Sequence, residues 1–407
     1  LNTSQHITPR QLFFQHVAQT SDFPLALEIE RAEGVYFYGT PAASAGEATY
    51  MDLISGIGVS NVGHRHPRVL AAINEQLDKY LHLMVYGEFV QTPQVRLAHA
   101  LAQTLPASLS SVYFTNSGTE AIEGAMKVAK RYTGRRELIS CFNSYHGSTQ
   151  GALSLAGSEA FKRNYRPLLP GIRHIQHGRW ADLERITSRT AAVVMEVIQG
   201  EAGVRVPEAA YLQAVRQRCT EVGALLIFDE IQTGFGRTGT FWAFEAFGVL
   251  PDILTCAKGM GGGMPIGAFI SSPEIMGVFR NNPILGHITT FGGHPVSCAA
   301  SLATLQVIQD EQLYADAEAK GQLFRQLLIH PAIRAIRGKG LLLAVEFESF
   351  AVLKPIIDRA LEQGTTGVGV LTDWFLFCDN SMRIAPPLII TEDQIRQACA
   401  IILEAIG

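Results

Sequence analysis

The chain has 407 residues, 47% of them hydrophobic and 17% charged, with a formal net charge of −4. At roughly 100–200 residues per domain, this length allows two or three structural units, and a mildly acidic chain with no basic stripe excludes a nucleic-acid footprint. The low charged fraction points to surface that is buried between subunits.

In chain order, residues 1–21 are polar and amphipathic and lack the apolar core of a secretory signal. Residues 40–49 are rich in small side chains and read as a surface loop ahead of Tyr50. From Gly56 to Gly293 helix-period segments alternate with short apolar runs. Helices are expected at 67–80, 94–104 and 119–133, and strands at 111–115, 137–142, 191–197, 224–229 and 253–257. Residues 224–228 are continuously apolar, as in a strand covered on both faces. Further on, helices are expected at 295–310 and 312–328, strands at 340–348 and 381–384, and a final amphipathic helix at 392–406. The pattern predicts an α/β protein. A large domain at 56–294 would hold a mostly parallel sheet flanked by helices. A smaller α+β domain would combine the N-terminal segment 1–55 with residues 295–407. No apolar run approaches the ~20 residues of a membrane span. The six cysteines are scattered without a C-x-x-C pair, as for free thiols in a reducing cytoplasm.

Ligands of parallel sheets sit beyond the carboxyl ends of the strands, so the residues after each apolar run are the candidates for chemistry. Asn116, Ser117, Gly118 and Thr119 follow the first strand and open a helix, whose free N–H groups suit a phosphate; a plain helix cap explains them too. Asp229 ends the most apolar run, where it would serve as a cap, a metal ligand or a partner for a heteroaromatic ring nitrogen. Lys258 ends another strand before a glycine run. Burial lowers the proton affinity of a lysine and frees it as nucleophile and base, whereas a loop lysine would snorkel to water. Tyr145 and His146 follow a fourth strand and are suited either to stacking on a flat ligand or to packing. Together the four features supply what a phosphorylated pyridine aldehyde requires.

The chain resembles the class III, ornithine-aminotransferase-like family of fold-type-I enzymes that use pyridoxal 5'-phosphate (PLP). The resemblance rests on Gly63-His-Arg-His-Pro67, Phe114-Thr-Asn-Ser-Gly-Thr-Glu-Ala121, Gln199-Gly-Glu-Ala-Gly203, Phe228-Asp-Glu-Ile-Gln-Thr-Gly234, Ala257-Lys-Gly-Met-Gly261, Thr290-Phe-Gly-Gly293 and Arg383-Ile-Ala-Pro-Pro387. It implies that Lys258 carries PLP as the Schiff-base lysine. Asp229 would pair with the pyridine nitrogen, Gln232 would reach the phenolic oxygen, and Tyr145 would stack on the ring, with His146 and Glu196 also against the cofactor. Ser117, Gly118 and Thr119 would hold the phosphate, helped by Thr290 of the partner subunit, in a homodimer with shared active sites. The implied reaction is a ping-pong transfer from an ω-amine donor, ornithine-like or acetylornithine-like, to a 2-oxo acid such as 2-oxoglutarate. Arg383 would bind the acid's carboxylate, and Glu201 would shield that arginine while an amine donor is bound.

Two departures bear on the substrate. Relatives acting on ornithine, acetylornithine or 4-aminobutyrate usually carry Arg where this chain has Ser148, so a second carboxylate clamp is missing from that position. The usual Asp-Gly before the Tyr50 strand is also absent. An aminomutase or racemase would share the cofactor but not release a keto product. The rival from another class is a nicotinamide dehydrogenase, because Gly234-Phe-Gly-Arg-Thr-Gly239 matches G-x-G-x-x-G formally, with Asp252 downstream. Its glycines come too late after the strand for a tight strand-to-helix turn. No metal-binding spacing is present.

Overall fold

The computed structural model describes residues 7–40 and 46–407. Its centre is a sheet of seven strands: β1 (Ser111–Thr115), β2 (Glu137–Cys141), β3 (Ile172–Ile175), β4 (Thr190–Glu196), β5 (Leu225–Asp229), β6 (Ile253–Cys256) and β7 (Gly267–Ser271). The spatial order is β1-β7-β6-β5-β4-β2-β3. Neighbours from β6 to β3 pair in parallel, and β7 pairs antiparallel with both β6 and β1. Two reversals restore the direction, so β1 points the same way as the parallel strands and ends on the same edge.

All five residues of β5 are buried. Because successive side chains point to opposite faces, Leu226 and Phe228 join Val193, Met195 and Leu254 in one hydrophobic cluster. Leu225 and Ile227 join Ala192, Val194 and Ile253 in another on the opposite face. Burying each such side chain fully is worth roughly 1.5–3 kcal/mol, which explains why the run tolerates no polar residue before Asp229.

The helix Gly118–Thr133 covers the second face with Ile122, Ala125, Met126 and Ala129. Ser117 caps its start by accepting from the Glu120 N–H at 3.4 Å, and Gly134 ends it in the left-handed region at φ 67°. The expected strands all occur, with ends shifted by up to three residues. Other departures have local causes. The helix expected at 312–328 begins only at Ala317 because Gln312 is left-handed (φ 48°) and breaks the preceding turn. Of the loop expected at 40–49, residues 41–45 lie outside the described residues, while Thr40 ends the strand Tyr36–Thr40 and Ala48 opens the strand Ala48–Asp52. The strand 111–115 runs in the same direction as the parallel strands, with the antiparallel β7 standing between them.

Residues from both ends of the chain meet in a further cluster. The strand Val368–Leu371 pairs in parallel with Ala48–Asp52. Met51 and Leu53 pack with Phe324, Leu343, Val345, Ile384 and Ile402. The last helix, Glu392–Ile406, starts with a reciprocal capping box between Thr391 and Gln394. Among the described residues no helix is long and apolar enough to cross a membrane.

Gly124 marks where helix and sheet are closest. A Cβ there would lie 2.2 Å from Phe269, whose ring is held by Tyr113 at a centroid distance of 4.9 Å. Gly124→Ala is therefore expected to overpack this contact and cost about 1–3 kcal/mol, read as a lower urea midpoint with an unchanged slope.

Candidate active site

The carboxyl edge of the sheet opens on a cavity of ≈540 Å³. Its wall gathers Ser117, Gly118 and Thr119 from the end of β1, Tyr145, His146 and Ser148 from the segment after β2, and Glu196 and Glu201 from the end of β4 and beyond. Asp229 and Gln232 come from the end of β5, and Lys258 from the end of β6. Two expected residues stand apart. Thr290 is exposed and does not line the cavity of its own chain. Arg383 is buried behind the wall, where Glu201 covers it.

Lys258 takes a left-handed backbone conformation (φ 45°) just past β6. Such a conformation is costly for a residue with a Cβ and is held only when its surroundings dictate it. Among the described residues the Lys258 ammonium has no hydrogen-bond or ion-pair partner. Burial lowers its proton affinity below the ordinary lysine value, although the charges of Glu201, Asp229 and Glu196 work in the opposite direction. A lysine in that condition is more readily a neutral amine.

Asp229 sits at the floor. One oxygen accepts from the Ile231 N–H at 3.0 Å, and the other meets His146 Nδ1 at 2.6 Å. Burial works against a charged His146, but the hydrogen bond and charge of Asp229, with Glu196 beyond, raise its proton affinity overall. His146 Nε2 is buried without a hydrogen-bond partner. Glu196 accepts from the N–H groups of Gly200 at 3.0 Å and Tyr145 at 3.4 Å. Its burial pushes the carboxyl up to about 8, so it holds a proton at neutral pH.

The acid-and-arginine corner is tightly paired. Arg383 donates from Nη1 and Nη2 to the two Glu201 oxygens at 2.9 and 3.1 Å. Burial raises the Glu201 carboxyl, but Arg383 outweighs it and holds the group below the usual carboxylate range. Gln232 Nε2 reaches Glu201 at 3.4 Å, and Tyr145 Oη lies 3.1 Å from Ser148 Oγ. Ser148 is exposed at the mouth and brings no positive charge to it.

The glycines at 234–239 do not form a nucleotide-binding turn. They lie in a run of turns with Gly236 at φ 88° and Gly239 at φ 98°, and no α-helix opens from them; the next helical segment is the short 3-10 turn Ala243–Phe247. Arg237 between them is buried and donates to the carbonyls of Leu341 and Pro386 and to Asn61 Oδ1. Asp252 is likewise structural, pairing with Arg216 at 2.7 Å and accepting from the Leu226 N–H at 2.7 Å.

The donor set suits a phosphorylated pyridine aldehyde. The first-turn N–H groups at Gly118 and Thr119 lack intrahelical partners, and a carboxylate, an unpaired amine and an aromatic ring share the same space. The orphaned His146 nitrogen fits a polar ligand. A sheet of this topology with this site defines a PLP-dependent transaminase of fold type I. Residues 17–406 match the model of the family "Aminotransferase class-III", and the chain belongs to that family. It is 39% identical over 362 residues to the acetylornithine aminotransferase of Methanopyrus kandleri, covering 88% of this chain and 90% of that protein. The ornithine aminotransferase of Toxoplasma gondii ME49 superposes with a TM-score of 0.88 at 31% identity, covering 98% of this chain and 96% of that one. An aminotransferase of Bacillus anthracis gives a TM-score of 0.89 at 26% identity, covering 100% and 99%.

Glu196 leads to a pH prediction. An acid whose folded-state value lies near 8 binds more protons folded than unfolded, so stability falls as pH rises from the ordinary glutamate value towards about 8. Glu196→Gln removes that term. Relative to the parent, the variant is expected to gain stability progressively across this window, measured by melting temperature against pH on the cofactor-free protein.

Proposed function

We propose that this class III aminotransferase moves an amino group from an ω-amine donor of the ornithine or acetylornithine type to a 2-oxo acid such as 2-oxoglutarate, in a ping-pong pair of half-reactions at one cavity. The observation that carries the reading is the convergence of the unpaired Lys258, the Asp229–His146 pair and the Glu201–Arg383 pair on that cavity. The likeness to an acetylornithine aminotransferase supports the donor class.

When bound, PLP supplies an electron sink that acidifies the hydrogen on the amine-bearing carbon of the substrate. With PLP bound, Lys258 would hold it, and the free amine would be the base placed to take the proton from the donor carbon, a role helped by its lowered proton affinity. Asp229, oriented by His146, would keep the ring nitrogen protonated. Ser117, Gly118 and Thr119 would hold the phosphate, Gln232 would reach the phenolic oxygen, and Tyr145 would stack on the ring. Glu201 covers Arg383 while the amine donor is bound, then yields it to the carboxylate of the 2-oxo acid. With Ser148 at the mouth, the far end of the donor finds no cation at that position.

A homodimer completes this reading. Leu81, Leu83, Ile284, Leu285, Ile288 and Phe291 are large, apolar and exposed around Thr290, and the contact of His82 with Phe291 (4.8 Å) brings the two segments together. Exposed apolar surface of this kind marks an interface, and it would carry Thr290 towards the phosphate of the other subunit. Free cysteines suit a reducing cytoplasm.

The deciding experiment is a panel of single half-reactions with glutamate, ornithine, acetylornithine, lysine, 4-aminobutyrate and putrescine, followed by the visible spectrum. At least one ω-amine is expected to convert the cofactor to its amine form, and Lys258→Ala to slow that conversion by about 10²–10⁴-fold or more. If no donor converts it, the reading gives way to an aminomutase or racemase. Light scattering at micromolar concentration is expected to give the mass of a dimer, and a clean monomer would remove the shared site.

A further inference from the structure

Arg383 is held by more than Glu201. Its Nε donates to Asp373 Oδ1 at 2.7 Å, Nη2 also reaches the Trp374 carbonyl at 3.3 Å, and the guanidinium lies over the Phe375 ring at 4.4 Å. The backbone follows suit: the Arg383 N–H donates to the Asp373 carbonyl at 2.8 Å, and Thr372 Oγ1 donates to the Arg383 carbonyl at 2.5 Å. Residues 372–375 therefore grip the main chain, the Nε edge and one face of this arginine. Glu201 is a different kind of partner. It comes from a separate loop, 182 residues away in sequence, and takes only the outer Nη1–Nη2 edge. It is tied elsewhere by the Leu376 N–H at 3.1 Å.

We propose that Asp373 is a positioning residue that fixes the Nε edge of Arg383, so that the opposite edge stays aimed at the cavity when Glu201 gives way to an incoming carboxylate. This rests on the reading of Arg383 as the carboxylate site. The electrostatic logic is one of exchange. The Arg383 side chain is only 3% exposed. If Glu201 were its sole counter-charge, releasing it would leave a buried cation unpaired, the costliest condition for such a group. With Asp373 in place, release of Glu201 leaves a neutral pair, and arrival of the substrate carboxylate restores the same charge count. Asp373 is not part of the cavity wall and acts only through Arg383; burial raises its carboxyl above the ordinary aspartate value, and Arg383 works in the opposite direction. A fork gripped on one edge also presents its two remaining donors in a fixed plane, as bidentate carboxylate recognition requires.

The test uses the holoenzyme with glutarate, a dicarboxylate that cannot react, and with 2-oxoglutarate as substrate. Asp373→Ala is expected to weaken glutarate binding in calorimetry, and to raise the KM for 2-oxoglutarate, by about tenfold or more, the worth of a charged hydrogen bond. The amine-donor half-reaction, in which Glu201 still covers Arg383, should keep its rate. Asp373→Asn keeps an oxygen against Nε but not the counter-charge, and should recover only part of the loss. If Asp373→Ala binds glutarate as the parent does, while Arg383→Lys does not, the proposal is overturned. It is overturned equally if Asp373→Ala slows both half-reactions alike and Asp373→Asn restores neither, since that is the behaviour of a residue needed only for folding. Absence of glutarate binding to the parent, or binding untouched by Arg383→Lys, would instead overturn the reading of Arg383 itself.

Discussion

Hydrogen-bond register between β4, β5 and β6 is the constraint on which the site depends. Glu196 pairs with Asp229 and Asp229 with Thr255 across three adjacent parallel strands. The neutral Glu196, Asp229 and the strand that delivers Lys258 are thus laid side by side. Each strand is buried on both faces, and a slip of one residue would exchange the two faces of every side chain it carries. The apolar packing that enforces register therefore also sets the chemistry. Asp229 stays at the boundary between core and cavity because Phe228 before it belongs to the core.

Within this frame, solvent exclusion does most of the tuning. The same burial that pushes Glu196 towards its neutral form draws Lys258 towards its own neutral form. Opposite charges then correct individual groups, Arg383 for Glu201 and Asp229 for His146. The outcome is a cavity in which one acid is neutral, one is committed to a histidine and one to an arginine, while the amine alone is left unattached. Preorganised groups of this kind need little rearrangement when a charge develops.

Much of this was legible in the sequence because it is local. Apolar runs mark β4, β5 and, interrupted by Thr255, β6, and a residue just after each run reaches the cavity. The small residues at 116–119 mark the helix start after β1. What the sequence leaves open depends on contacts between distant segments. β7 is a five-residue run whose antiparallel pairing has no local signature, and it altered the relation of β1 to the other strands. Asp373 is an ordinary acid next to a tryptophan until the hairpin brings it to Arg383. The glycines at 234–239 satisfy a nucleotide-binding pattern in sequence, but Arg237 spends their turn on the carbonyls of Leu341 and Pro386. The grip of a buried guanidinium on main-chain oxygens explains that loop without any ligand.

The antiparallel strand β7 acts as a ruler. Adjacent strands stand about 4.8 Å apart, so inserting one strand between β1 and β6 separates the helix start at Ser117 from the strand that carries Lys258 by roughly 10 Å. Direct pairing of β1 with β6 would halve that gap and bring the anion-binding N–H groups nearly onto the amine. The gauge sets how far any group held at that helix start would have to reach to meet the amine. The reach of the site is thus set by the order of the strands, before any side chain is considered.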